Sequence, residues 1–202
     1  DAAALCDQHS VGSGDAERQA GFERHDPEDG GVVLGAAYGS AKRWPPEHFA
    51  DALASLASRA GVTGVLVSAE TDRAAGCAIE SRLASGRPAA GKVINFIGQT
   101  DLSTLTGVLS LCRALVSNNS GAMHVGAALG VPVTAVFGLT DERRTRPLGQ
   151  GHAVVSEPVA CRPCGHRACP IDHRCMTRVR PYAIAASVAA QLGGGQMPSR
   201  VE

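Results

Sequence analysis

The stretch from Ala114 to Gly138 constrains the fold more than any other part of the chain. An apolar run ends at Ser117, a polar turn Asn-Asn-Ser-Gly follows, an alanine-rich segment comes next, and a second apolar run, Val131–Phe137, closes the unit. Nearly continuous apolar runs mark strands buried on both faces, which occur in parallel sheets. The segment therefore predicts strand, helix, strand.

The same alternation begins at Gly31. Further strands are predicted at Val32–Ala37, Gly64–Ser68 and Lys92–Ile97, five in all with Ala114–Ser117 and Val131–Phe137. Phe49, Leu53, Leu56 and Ala60 share one helical face, as do Ala75, Ile79 and Leu83, then Leu105, Leu109 and Cys112. Pro45 and Pro46 suit a first helical turn, where no amide proton is needed. A last amphipathic helix carries Ile184, Val188 and Leu192. The expected fold is α/β, a Rossmann-like parallel sheet with helices on both faces. Residues 1–30 lack periodicity and read as a linker or the remnant of a preceding element; 31–192 form the domain, and 193–202 a flexible tail.

Composition excludes several classes of function. Nineteen basic side chains balance nineteen acidic ones, so no global field draws nucleic acid, and any anion site is local. No run reaches the roughly 18 apolar residues of a spanning helix, and no signal peptide is visible at the N-terminus. The chain reads as cytoplasmic. Of seven cysteines, Cys6, Cys77 and Cys112 are scattered and four crowd into 161–175; the odd count favours reduced thiols.

Two turns are candidate anion sites. After Ser117, the turn and the following helix offer unpaired amides and the positive end of a helix dipole at the carboxyl edge of the sheet. Gly121 permits close approach, Ser120 offers a hydroxyl, and His124 lies one turn further on. Simple helix capping by Asn and Ser is the competing reading, and for His124 a satisfied buried histidine. After the first strand, Gly35, Gly39 and Ser40 make a flexible turn, and Lys42 and Arg43 bring charge to the same edge. The competing reading there is a solvated basic loop.

Four ordered motifs resemble the heptosyltransferases of lipopolysaccharide core synthesis, glycosyltransferase family 9. They are Gly-Ala-Ala-Tyr-Gly-Ser-Ala-Lys-Arg-Trp-Pro at 35–45, Ser-Asn-Asn-Ser-Gly-Ala-Met-His at 117–124, Phe-Gly-Leu-Thr-Asp-Glu-Arg-Arg-Thr at 137–145 and Cys-Pro-Ile-Asp-His-Arg-Cys-Met at 169–176. The first and last are most like those of the heptosyltransferase II group. The resemblance implies the C-terminal, donor-binding half of a GT-B enzyme that transfers heptose, with inversion and without a metal or cofactor, from ADP-L-glycero-D-manno-heptose to the lipopolysaccharide inner core. It implies that Lys42 meets the donor phosphates and that Ser120, Gly121 and His124 cradle the diphosphate and sugar. Thr140 and Asp141 would flank the cleft and Glu70 accept from ribose hydroxyls. It places the work at the cytoplasmic face of the inner membrane.

The departures carry their own expectations. The family usually has Asp where this chain has Asn119, which removes a charge near the sugar. The N-terminal half that would hold the acceptor and its base is absent, so no catalytic residue is assigned and the isolated chain is expected to be inactive. Cys161, Cys164, Cys169 and Cys175, with His166 and His173 near, have the look of a zinc site, but the spacing is not that of a standard finger and no metal is assigned. Two alternatives remain: a non-catalytic ADP-sugar-binding fragment or degenerate copy, and a zinc-binding interaction domain.

Overall fold

The computed structural model describes residues 31–35, 40–86 and 92–193. The expectations for 1–30, for Gly39 and for the tail beyond Gly193 lie outside the described residues.

Six strands form one parallel sheet: β1 (Val32–Gly35), β2 (Gly64–Val67), β3 (Val93–Asn95), β4 (Ala114–Asn118), β5 (Val133–Phe137) and β6 (Ala153–Ser156). Their order is β3-β2-β1-β4-β5-β6. The helices are α1 (Pro46–Ala60), α2 (Arg73–Ala84), α3 (Leu102–Ser110), α4 (Gly121–Ala128), α5 (Glu142–Thr145), α6 (Arg174–Thr177) and α7 (Pro181–Gly193). The Rossmann-like expectation holds. The order of connection reverses between β1 and β4, which is where such sheets open a crevice at the strand carboxyl ends.

Alternating side chains build two cores. Val32, Leu66, Ala114, Val116 and Val136 pack with Phe49, Leu53 and Leu56 of α1, Ile79 and Leu83 of α2, and Ile184 and Val188 of α7. Val65, Leu115, Val133, Ala135 and Phe137 point the other way, against Val108 and Leu109 of α3 and Met123 of α4. Each fully buried Leu or Phe contributes roughly 1.5–3 kcal/mol. Buried Thr134 faces α7, where it meets Ser187 at 3.0 Å and Gln191 at 2.9 Å, so its hydroxyl is paired.

Local signals set the element ends. Pro46 stands in the first turn of α1, and Gly61, at φ 62°, ends it by donating its amide to the Ala57 carbonyl. Asp101 caps α3 by accepting from the Thr104 amide at 2.7 Å.

Three expectations need correction. A sixth strand exists, β6; its Ala-Val-Val-Ser run is half-exposed at the sheet edge and therefore lacks the continuous apolar signature of the central strands. The strand predicted at Lys92–Ile97 shrinks to Val93–Asn95, because the Asn95 side chain accepts from the Ile97 amide at 3.0 Å and starts a turn through Gly98, at φ 74°. Reduced thiols were expected throughout, yet Cys77 on α2 is disulfide-bonded, while Cys112, Cys161, Cys164, Cys169 and Cys175 are free.

Candidate functional site

Parallel registry brings one end of every strand to the same edge. Gly35 lies beside Val67 on one side and Ser117 on the other, and Asn118 lies beside Val136. The loops after β1, β2, β4 and β5 therefore emerge together, and with the first turn of α4 they carry Lys42, Glu70, Asn119, Ser120, Gly121, His124, Thr140 and Asp141.

The loop after β1 includes a 3-10 turn, Ser40–Lys42. Its two cations differ in commitment. Arg43 pairs with buried Asp72 at 2.6 Å, and Asp72 also accepts from Ser68. Lys42 is half-buried and makes no ion pair among the described residues. The fixed arginine anchors the loop, and the lysine is left available to an anion.

This loop is tied to the end of β4. The Trp44 amide donates to Asn118 Oδ1 at 3.2 Å. Asn118 is fully buried, and its Nδ2 has no hydrogen-bond partner among the described residues. An unsatisfied buried donor is rare in folded proteins and costs about 1–3 kcal/mol. Asn118 was missed from sequence; in an Asn-Asn pair, nothing local says which member faces the neighbouring loop.

Ser120 precedes α4 in extended conformation, yet its side chain does not cap the helix. Its hydroxyl is engaged instead with Ser117 Oγ at 3.0 Å. The plain-capping reading thus fails at Ser120, whose side chain makes no cap hydrogen bond to the first amides of α4. Gly121 is exposed at the helix start. His124 is exposed too, which rules out the satisfied-core reading for its ring.

Asn119 joins the β4 and β5 loops. Its Nδ2 donates to Thr140 Oγ1 at 2.8 Å and Thr145 Oγ1 at 3.1 Å. Asp141 caps α5 by accepting from the Arg143 amide at 3.0 Å, and the Arg143 side chain holds its carboxyl below the usual range. Glu70 stands apart, over β2. Both its oxygens accept from Arg73 at 2.6 Å, which lowers its pKa, and its side chain packs over Gly98. The structure thus brings Asn119 and Thr140 into one hydrogen-bonded group and leaves Glu70 outside it.

The cysteine-rich loop rests on the same edge. His173 Nε2 lies 2.6 Å from the Ala41 carbonyl, the Gly165 amide donates to the Leu139 carbonyl at 3.1 Å, and Arg162 donates to the Gly138 carbonyl. Cys161, Cys164, Cys169 and Cys175 line a small cavity with Ala41 and Leu139. Burial first, then the neighbouring thiols, push the Cys175 pKa up. Among the described residues no three His, Cys, Asp or Glu side chains are grouped to hold a metal ion.

Comparison with known proteins adds a family. The model of glycosyltransferase family 9 (heptosyltransferase) matches residues 10–174. Lipooligosaccharide heptosyltransferase 2 of Haemophilus ducreyi is 36% identical over 127 residues, 62% of this chain and 36% of that protein. Lipopolysaccharide heptosyltransferase 2 of Salmonella typhimurium is 37% identical over 125 residues, 62% of this chain and 35% of that protein. The solved structure of E. coli ADP-heptose lps heptosyltransferase II superposes with a TM-score of 0.72 at 26% identity, covering 92% of this chain and 53% of that one. The chain therefore matches about a third of the length of these curated relatives and about half of the solved chain.

Proposed function

Because the chain belongs to glycosyltransferase family 9, the heptosyltransferases, we propose that it is the donor-binding, C-terminal half of an enzyme transferring heptose from ADP-heptose to the lipopolysaccharide inner core. One observation carries the reading. The Lys42 turn and the uncapped start of α4 flank the β1/β4 switch point, and the Trp44–Asn118 hydrogen bond braces one against the other.

The diphosphate lies between them. In the reaction an acceptor hydroxyl oxygen forms a bond to the anomeric carbon of heptose, the bond from that carbon to the β-phosphate oxygen breaks, and ADP leaves with the electron pair. Charge builds on ADP as it departs. Amides fixed at Ser120 and Gly121 and the Lys42 ammonium meet that charge without having to reorganise, which is the most effective form of electrostatic catalysis. Thr140, Asp141 and His124 line the sugar side and Asn119 holds the Thr140 loop in place, whereas Glu70 would have to release Arg73 before it could accept from the ribose. The acceptor and the base that takes its proton belong to the other half of the GT-B arrangement. The chain alone is accordingly expected to bind donor and not to turn over.

Among the described residues no helix is long and apolar enough to cross a membrane. We place the reaction at the cytoplasmic face of the inner membrane, where a lipid-linked acceptor is presented.

Calorimetric titration with ADP-heptose, ADP and UDP tests the proposal. Saturable binding that prefers the adenine ligands is expected; no binding, or equal binding of UDP, would overturn it.

A further inference from the structure

The cysteine-rich loop is the largest motif that the donor site does not absorb, and its contacts suggest a task. Arg162 donates to the Gly138 carbonyl and pairs with Glu142 of α5 at 2.8 Å, and the Gly165 amide donates to the Leu139 carbonyl at 3.1 Å. Those bonds hold the turn that carries Thr140. At its other end the loop reaches the β1 turn, where His173 Nε2 lies 2.6 Å from the Ala41 carbonyl. Ala41 is buried and directly precedes Lys42.

A carbonyl only accepts, so Nε2 must carry the proton in this bond. The ring is held from behind as well. His173 adopts the left-handed conformation at φ 58°, unusual for a residue other than glycine, and its amide donates to Cys169 Sγ at 3.3 Å. Two residues on, Cys175 is buried beside the Gly138 backbone. The imidazole is thus a preoriented prop under the lysine turn, 132 residues away in sequence.

We infer that the Cys161–Cys175 loop is a strap across the carboxyl edge of the sheet, and that His173 is a positioning residue that fixes the Lys42 turn for a nucleoside diphosphate. The inference rests on the donor-site reading above. His173 touches no ligand; it sets where the lysine stands relative to the α4 amides. Positioning of this kind acts on the phosphate-dependent part of binding and leaves the nucleoside part alone.

The test compares ADP with adenosine, by calorimetry, on the wild-type chain and on His173→Ala, His173→Gln, Lys42→Ala and the His173→Ala/Lys42→Ala double variant. His173→Ala should lose about three- to tenfold in ADP affinity, the scale of one hydrogen bond, with adenosine affinity unchanged. His173→Gln, whose amide reaches the same carbonyl, should restore most of the loss. In the Lys42→Ala background the His173 substitution should cost nothing further, because coupled residues are not additive. Should His173→Ala fail to fold, His173→Asn suits the left-handed backbone but falls short of Ala41, and carries the same expectation. Wild-type ADP binding by these variants, an equal loss of adenosine, or a full loss in the Lys42→Ala background would overturn the inference. No ADP binding by the wild-type chain would instead overturn the donor-site reading on which it depends.

Discussion

The side-chain amide of Asn119 donates to the Thr140 hydroxyl at 2.8 Å and to Thr145 at 3.1 Å, so one residue links the loop after β4 to that after β5. A hydroxyl can donate as well as accept. With Asp at this position both threonines can turn their protons toward the carboxylate, and only the long 3.4 Å bond from Thr145 to the Asp141 carbonyl is given up. Asn119→Asp should therefore change stability by less than about 1 kcal/mol. In the two-half enzyme proposed above it should raise turnover, by placing a negative charge on the sugar side. Urea unfolding and a steady-state assay read the two effects, and an unchanged rate would mean that asparagine serves equally well.

Among the described residues Lys42 makes no ion pair, so its loss strands no charged partner there. Lys42→Ala should weaken ADP binding by about 1–3 kcal/mol, the scale of a charge-assisted hydrogen bond, with an unchanged melting temperature. Equal affinity in calorimetry would remove Lys42 from the site.

Asn118 behaves oppositely, because it serves the fold first. Asn118→Ala strands the Trp44 amide beside a ring that is itself buried and bonded to the Val179 carbonyl at 3.0 Å. The stranded amide costs about 1–3 kcal/mol and the loss of the unpaired Nδ2 offsets part of it, so a net destabilisation of about 1 kcal/mol is expected. A shift in the urea midpoint at constant m-value measures it, and a stabilised variant would show that the orphan donor outweighs the bond.

His152 sets a pH dependence. Its Nδ1 accepts from the Val133 amide at 3.2 Å, and burial pushes its pKa below the ordinary histidine value, against a smaller opposing effect from the Leu148 backbone. The unfolded chain then binds the proton more readily than the folded one. Stability from this group is complete above the unfolded pKa of about 6.5 and declines as pH falls from there through the lowered folded value. Urea midpoints between pH 7.5 and 5 should decline, and His152→Asn should flatten the profile; an identical profile in the variant would rule His152 out.

Thiol reactivity should divide by environment. Burial raises Cys112 to about 12, and its thiol sits 3.1 Å from the Val108 carbonyl, whereas Cys164 is exposed. Alkylation near pH 8 should label Cys164 in the native protein and Cys112 only after unfolding, as mass spectrometry of the peptides would show.

The layered architecture was legible from sequence alone, since continuous apolar runs and 3.6-period apolar faces are local properties of the chain, and the central strands and the helices display them. It also marked two turns as candidate anion sites, on glycine, serine and lysine at strand ends, beside the competing readings of helix capping and a solvated basic loop. The edge strand β6 escaped notice because a half-exposed strand has a diluted apolar pattern. Only tertiary structure decided the rest: the strand order, the choice of Asn118 over Asn119 as the partner of Trp44, the commitment of Arg43 rather than Lys42, and the docking of His173 on Ala41. Each is a contact between segments far apart in the chain, 74 residues for Trp44 with Asn118 and 132 for Ala41 with His173. Such pairings are fixed by how the helices pack on the sheet, and no local pattern encodes them.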